Sequence, residues 1–456
     1  MNYKGLKVLV VGTGVSGIGA VSLLEEKEAV PILFDSNEKI PVEDIKAKLP
    51  YGSRAQIYVG SLPENIHKSI DVVVLSPGVP VDIPLVADFA KRGIKILGEI
   101  ELGYEFDKGD LLAITGTNGK TTTTALLGAI MKKYCAGKRQ VIVVGNIGDP
   151  YTMEVSKTEE DSITVAEISS FQLETIDRFR PEVSAILNIT PDHLNRHITM
   201  ENYVRIKERI AENQTEEDTI VLNYDDPFLR EFAGRVKAKV IFFSSKADPS
   251  DPDTGEELFY MDGLNIMHKG ECLLNVNEMN LIGSHNYENV MAAAAMAYAY
   301  GVPKDVTVSA IKEFKAVEHR IEFVRNLNGV DYYNDSKGTN PDAAIKGIKA
   351  MSRRTILIGG GFDKKSSYDE WIESFDGKVK YLILLGQTAQ DIAACARAHG
   401  FNDIIFAGDM EEAVRTAYEK SEEGEAVLLS PACASWGMFK NFEERGDVFK
   451  KLVKEL

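Results

Sequence analysis

Residues 111–124, LLAITGTNGKTTTT, constrain the chain more than any other stretch. Leu111–Ile114 is an apolar run with the character of a buried strand. Gly116-Thr117-Asn118-Gly119 is a glycine-bracketed turn, Lys120 and Thr121 follow, and apolar periodicity predicts a helix from Thr122 to about Lys133. Such a unit is a phosphate cradle. Backbone N–H groups and the helix N-terminus face the anion, the lysine reaches the outer phosphates and the hydroxyl suits Mg²⁺. The general P-loop has a glycine where Ile114 stands, so this cradle is of an unusual subtype.

The segment before it is a βαβ pattern. Lys7–Val11 is a strand, Gly12-Thr13-Gly14-Val15-Ser16-Gly17 opens a helix to about Glu26, and Ile32–Phe34 ends at Asp35. The glycines at 12, 14, 17 and 19 make strand–turn–helix a better reading of this stretch than a leader peptide. G-x-G-x-x-G with an acid about 20 residues on fits NAD or FAD. It fits a nucleotide-sugar diphosphate by the same physics, and a turn needed only for close helix–strand packing is the plain alternative. Further strands are expected at Gln56–Val59, Asp71–Leu75 and Ile94–Leu97, with Ser76-Pro77-Gly78 a second loop at the ligand edge of the sheet.

After the cradle, strands are expected at Gln140–Val144, Ser162–Ala166 and Ser184–Asn188. They end in Gly145-Asn146-Ile147-Gly148, Glu167-Ile168-Ser169-Ser170 and Thr190-Pro191-Asp192-His193. Parallel strands with such ends outline a metal–phosphate site, with Glu167 where an NTPase places its Mg²⁺ acid. His193 alone reads as a structural histidine. The Asp/Pro-rich Ala247–Glu257 reads as a surface excursion. Asn286 and Asn289 share a face at the start of the Ala-rich helix Val290–Tyr300, with helix capping the plain role for Asn286. A third region opens near Val317 and resumes strand–helix alternation.

The 456 residues accommodate about three domains at ~100–200 residues each. A net charge of -17 excludes nucleic acid as a natural partner, so an anionic substrate needs local cations or metal. The longest Ala-rich run is too short to span a bilayer. Four scattered cysteines without CxxC spacing read as free thiols in a reducing compartment. The motifs singly also fit a dinucleotide-dependent oxidoreductase joined to a nucleotide-binding module, or a regulatory P-loop ATPase.

In combination they resemble the Mur ligases. The carriers are GTNGKTT, EISSFQLE (Glu167–Glu174), DHLNRH (Asp192–His197), HNYEN (His285–Asn289), EHR (Glu318–Arg320), NDSKGTN (Asn334–Asn340) and SPACASW through Phe442 to Gly446. The resemblance covers the whole chain. It implies an α/β protein of three domains: a Rossmann-like UDP-substrate domain (1–98), a P-loop ATPase-like ATP domain (99–316) and a Rossmann-like amino-acid domain (317–456). The GTGVSG opening and SPACAS ending are most similar to members that add D-glutamate to UDP-N-acetylmuramoyl-L-alanine with ATP, in cytoplasmic peptidoglycan precursor synthesis. Such an enzyme handles small molecules only, with neither nucleic acid nor membrane as partner, and is expected to be a monomer.

The resemblance also implies roles. Lys120, Thr122 and the turn Gly116, Thr117, Asn118 and Gly119 hold ATP phosphates. Thr121 and Glu167 serve one Mg²⁺; His193 and Lys207 serve a second, Lys207 as a carbamate. Lys207 is singled out by its distance from DHLNRH alone. A free ammonium cannot bind a cation, and the CO₂ adduct turns it into an oxygen ligand. Asn286, Asn289, Arg320 and Asp335 serve the nucleotide, which requires approach of the third domain. Gly14, Val15, Ser16, Asp35, Ser36, Gly78 and Asn146 serve the UDP substrate. Lys337, Thr339, Lys364 or Lys365, Ser435 and Phe442 serve D-glutamate, a dicarboxylate that wants cations and hydroxyl donors. Trp436 stands where the family is often aliphatic and Gly437 where an acid is common.

Overall fold

The computed structural model describes residues 1–146, 149–281, 283–315, 317–362 and 366–456. Lys364 and Lys365, and the Ile147-Gly148 end of one strand motif, lie outside the described residues. The chain packs as two compact units, one of residues 1–276 and 288–312, the other of residues 277–287 and 313–456.

The first unit holds two sheets. In the first, β1 (Lys7–Val11), β2 (Val30–Asp35), β3 (Gln56–Val59), β4 (Val72–Leu75) and β5 (Lys95–Gly98) run parallel in the order β3-β2-β1-β4-β5. The order reverses between β1 and β4, and a crevice opens at such a switch point, beyond the strands' carboxyl ends. The glycine turn after β1 and the Ser76–Gly78 loop after β4 meet there. β4 is apolar throughout and buried throughout, as a parallel strand covered on both faces must be.

The second sheet comprises β6 (Asp110–Thr115), β7 (Val141–Gly145), β8 (Ile163–Glu167), β9 (Val183–Ile186), β10 (Thr219–Asn223), β11 (Lys239–Ser244), β12 (Phe259–Asp262), β13 (Asn265–His268) and β14 (Glu271–Asn275). Its order is β14-β13-β12-β11-β10-β9-β6-β8-β7, parallel except for the closing antiparallel pairs β12–β13 and β13–β14. Ile114 pairs with Glu167 on β8 and Ala185 on β9 and is fully buried. The missing P-loop glycine is therefore a core strand residue, and the turn begins two positions later.

One hydrophobic core runs across both sheets, from Val8 and Val10 through Ile100 and Leu102 to Ile186 and Leu222. Helix Glu99–Tyr104 stitches it. Its buried Glu99 accepts from the Thr152 amide (2.8 Å) and hydroxyl (2.7 Å). Its Glu101 accepts the amides of Asp177, Arg178 and Phe179 at 2.8–3.1 Å. Gly19, on helix Val15–Glu26, packs so closely on Thr152 that an added Cβ would lie 2.7 Å from its hydroxyl.

One expectation is revised. The Ala-rich helix starts at Ser284, so Asn286 lies inside its first turn, its N–H donating to the Gly283 carbonyl, and is not the cap. Gly283, at φ +93°, sets that earlier start. The 247–257 stretch lies largely exposed, as expected, and is tethered where Tyr224 donates to Asp251 (2.8 Å) and Thr254 is buried.

The second unit holds β15 (Glu322–Leu327), β16 (Val330–Asn334), β17 (Thr355–Gly359), β18 (Val379–Leu384), β19 (Ile404–Phe406) and β20 (Ala426–Leu429), in the order β15-β16-β20-β17-β18-β19. Only β15–β16 is antiparallel among the described pairs.

Candidate active site

The turn after β6 is shaped from several sides. Gly116 (φ +147°) and Gly119 (φ +89°) take backbone conformations that side chains resist. A Cβ on Gly119 would lie 2.2 Å from the Asn289 amide oxygen, which brings Asn289 against the turn. Asn188, just beyond β9, accepts from the Asn118 N–H (2.9 Å) and donates to its carbonyl (3.0 Å). Thr117 donates its N–H to the Asn188 carbonyl and shares a 3.1 Å hydrogen bond with the Tyr203 hydroxyl. Helix Lys120–Cys135 follows, with Thr121 and Thr122 buried in its first turn.

Two lysines converge on one carbonyl. Lys120 Nζ donates to the carbonyls of Gly116 and Thr117, both at 2.9 Å. Lys207 Nζ donates to the same Gly116 carbonyl at 2.8 Å. Lys207 comes from helix Met200–Glu208, whose start is capped by Thr199. It is 1% exposed, and its Nζ lies 4.8 Å from the ring centre of Tyr203, four residues earlier on the same face. Burial, then the Lys120 charge, pushes Lys207 well below the ordinary lysine value; Asp192 and Glu167 oppose this.

Glu167 closes β8 beside the turn and is 1% exposed. One carboxylate oxygen accepts from the Asn146 amide at 2.8 Å; the other is buried and without a hydrogen-bond partner among the described residues. A buried carboxylate oxygen beside a phosphate turn fits a hard divalent cation. His193 is half-exposed, left-handed (φ +52°), 3.4 Å from Asp192 and 4.8 Å from the Phe171 ring.

In the first sheet Asp35 holds the glycine turn, accepting from the Thr13 N–H (3.2 Å) and hydroxyl (2.8 Å) and from the Asn37 N–H (3.0 Å). Gly17 packs on the Gly12 carbonyl, where a Cβ would come within 1.9 Å. Gly14 and Gly78 face open space, and Val15 and Ser36 are exposed, as a backbone-approach surface requires. Ser16 is part-buried.

Arg196 has no role in the sequence-level reading, yet it joins the sheets. It forks onto Glu174, donates to the carbonyls of Pro77 (3.3 Å) and Val79 (3.1 Å), and covers the Phe171 ring at 4.3 Å. The only signal in the sequence was its membership of DHLNRH.

In the second unit Asp335 is buried and accepts from the Ser430 hydroxyl at 2.7 Å. Burial pushes its carboxyl up to about 7, against the Ser430 bond and the Arg320 charge. The Arg320 Nε is buried without a partner among the described residues. Lys337 lies over the Phe442 ring at 5.3 Å, and the Thr339 N–H donates to the Lys337 carbonyl. Arg445, buried and unassigned from the sequence, donates to the Ser336 hydroxyl (2.9 Å) and carbonyl (2.8 Å) and to the Cys433 carbonyl (3.1 Å). It thereby ties NDSKGTN to the SPACASW loop that carries the buried Ser435. Trp436 is half-exposed against Phe362, and Gly437 sits at φ +85°, where an acid would be strained.

Comparison with known proteins agrees along the chain. Residues 6–98 match the Mur ligase MurD-like N-terminal domain, 114–297 the Mur ligase middle domain and 319–433 the Mur ligase glutamate ligase domain. The chain is 55% identical to the UDP-N-acetylmuramoylalanine–D-glutamate ligase of Lachnospira eligens, each covered over 100% of its length. It is 54% identical to the one of Lachnoclostridium phytofermentans, covering 100% of this chain and 99% of that one. Among solved structures, UDP-N-acetylmuramate-alanine ligase MurC of Thermotoga maritima aligns at TM-score 0.62 and 16% identity, over 99% of both chains. MurF ligase of the same organism, in complex with ADP, aligns at 0.59 and 17%, over 99% of this chain and 96% of that one; both show the fold. With its cradle, its sheets and its whole length accounted for in this way, the chain belongs to the Mur ligase family.

Proposed function

We propose that this enzyme joins D-glutamate to UDP-N-acetylmuramoyl-L-alanine, converting ATP to ADP and phosphate, in the cytoplasm and as a monomer. The observation that carries the reading is the convergence of Lys120, Lys207 and the half-satisfied Glu167 carboxylate on the Gly116–Gly119 turn. The relatives' name supplies the substrates.

The reaction needs a carboxylate made electrophilic. The substrate carboxylate attacks the γ-phosphorus of ATP, the bond to the β-phosphate oxygen breaks, and an acyl phosphate and ADP result. The D-glutamate amine then adds to the acyl carbon and loses a proton, and the acyl C–O bond to phosphate breaks with its electron pair going to the departing phosphate. The protein's share is positioning and charge neutralisation. Lys120 exchanges its two carbonyls for phosphate oxygens, joined by the amides of the turn and by Thr122. Thr121 and Glu167 would hold one Mg²⁺, and His193 with Lys207 a second, where the ion would neutralise phosphate charge. The displaced Lys207 value favours the neutral amine, the form that adds to CO₂. A C–N bond forms, a proton leaves to solvent, and a carbamate anion stands in place of a cation.

By the same resemblance Asn286, Asn289, Arg320 and Asp335 take the nucleotide. Gly14, Val15, Ser16, Asp35, Ser36, Gly78 and Asn146 take the UDP substrate, with Asp35 acting through the turn it holds. Lys337, Thr339, Ser435, Phe442 and one of Lys364 and Lys365 take D-glutamate. The domain limits 1–98, 99–316 and 317–456 are part of the same proposal.

The test is phosphate release by purified protein given ATP, UDP-N-acetylmuramoyl-L-alanine and a panel of amino acids. Turnover with D-glutamate, lost in Lys120→Ala, is expected. Turnover with L-lysine or meso-diaminopimelate but not with D-glutamate overturns the assignment.

A further inference from the structure

Two short helices of the second unit, Asp369–Glu373 and Ala389–Ala398, pack against each other. Each bears a pair of metal-compatible side chains four positions apart, Asp369 with Glu373 and Cys395 with His399, the last just past its helix. Four-residue spacing puts each pair on one helical face, and the two faces meet. Asp369 Oδ1 lies 2.9 Å from His399 Nε2 and 3.7 Å from Cys395 Sγ, and the three ligand atoms all lie within 4.8 Å of one another. Ligands held about 2.0–2.3 Å from a tetrahedral ion stand roughly 3.3–3.7 Å apart, so small side-chain adjustments suffice to share one.

The surroundings complete the arrangement. Glu373 Oε1 lies 3.6 Å from the other ring nitrogen of His399, where a second carboxylate fixes the tautomer of a ligating histidine. The Ser367 hydroxyl donates to Asp369 Oδ2, the oxygen that faces neither the thiol nor the ring. A surface ion pair accounts for Asp369 and His399 alone. It gives no reason for a thiol aimed at the same oxygen, or for a carboxylate at the opposite ring nitrogen. None of these side chains is among those given a role in the proposed ligase reaction.

We propose that Asp369, Cys395 and His399 form a three-ligand site for a borderline-soft divalent transition metal of the Zn²⁺ type, with water in the fourth position and Glu373 as the outer partner of His399. A sulfur and an imidazole among three ligands select against Mg²⁺ and Ca²⁺. Binding forms an S–metal bond as the thiol proton leaves to buffer. The site pins the two helices together around Trp371, which is fully buried and packs against Gly359 at the end of β17.

The experiment titrates Co²⁺ into the full-length protein after chelator treatment, with Mg²⁺ present throughout. A thiolate-to-cobalt charge-transfer band should saturate at one equivalent, vanish on adding Zn²⁺, and be missing in Cys395→Ser. In Glu373→Gln the band should persist with affinity lowered about 10–100-fold. Zn²⁺ should raise the melting temperature of the wild type and leave that of Cys395→Ser unmoved, and ligase turnover without added transition metal should be equal in the two. Absence of the band at stoichiometric Co²⁺ overturns the proposal. So does a band that survives in Cys395→Ser, which would trace it to another thiol such as the exposed Cys272.

Discussion

A buried lysine amine with its charge disfavoured can act as a nucleophile, and Lys207 is such a residue. Lys207→Ala should lower kcat by at least about 10²-fold, the scale of losing one electrostatic contributor at a charged transition state. Its far-ultraviolet circular dichroism should stay unchanged. Short carboxylic acids added to the variant should restore part of the turnover, since they supply the oxygens the carbamate provides; restoration by short amines instead would mean that Lys207 acts as an amine. Asp335 titrates in the opposite sense. Its folded value of about 7 lies above the unfolded carboxylate value near 3.9, so between them the folded state keeps a proton the unfolded state has lost. Stability therefore falls as pH rises through that window and is constant above it. Asp335→Asn should flatten this part of the melting-temperature profile and melt higher than the wild type at pH 8. The difference is bounded by roughly 4 kcal/mol. An unchanged profile would place the proton elsewhere.

At the scale of elements, the phosphate turn is held mainly by its neighbours. Asn188→Ala removes two hydrogen bonds to Asn118 and should cost about 1–3 kcal/mol of stability. ATP affinity should drop roughly tenfold, at about 1.4 kcal/mol per decade, measured by calorimetry. Unaltered ATP binding would show the turn to be self-supporting. The turn itself was legible from sequence because glycine conformation and lysine chemistry are local. So were the parallel strands: an apolar run bounded by Gly, Asn or Asp leaves few alternatives, and Lys7–Val11 and Gln56–Val59 fall where their composition puts them. What props the turn was not legible. Asn188 is 70 residues from Asn118, and Tyr203 is 86 from Thr117. Nothing in a single sequence marks such pairings. The burial of Lys207 was hidden for the same reason, since a lysine on an amphipathic helix looks solvated until the sheet edge closes over it. The capping role given to Asn286 failed because the helix, entered at Gly283, begins at Ser284, two residues before Asn286.

At the scale of the molecule, Arg196 links the loop after β4 to the segments that follow β8 and β9. Arg196→Ala should raise the KM for the UDP substrate about tenfold or more while leaving the KM for ATP nearly unchanged, because the Ser76–Val79 loop loses its tether and the phosphate turn does not. Equal effects on both constants would make Arg196 a general stabiliser. The helix Glu99–Tyr104 has a wider consequence. Its Ile100 and Leu102 belong to the core that also holds Val8 and Val10, and across the 98/99 boundary Tyr3 donates to Glu105 (2.7 Å) and Ser156 to Glu26. The molecule is thus not divisible where its family segments meet. Fragment 1–98 made alone should aggregate for want of the surface that covers Val8, Val10 and Gly19. Made in the same cell as 99–456, it should be recovered as a heterodimer by size-exclusion chromatography, the two pieces behaving as halves of one casting.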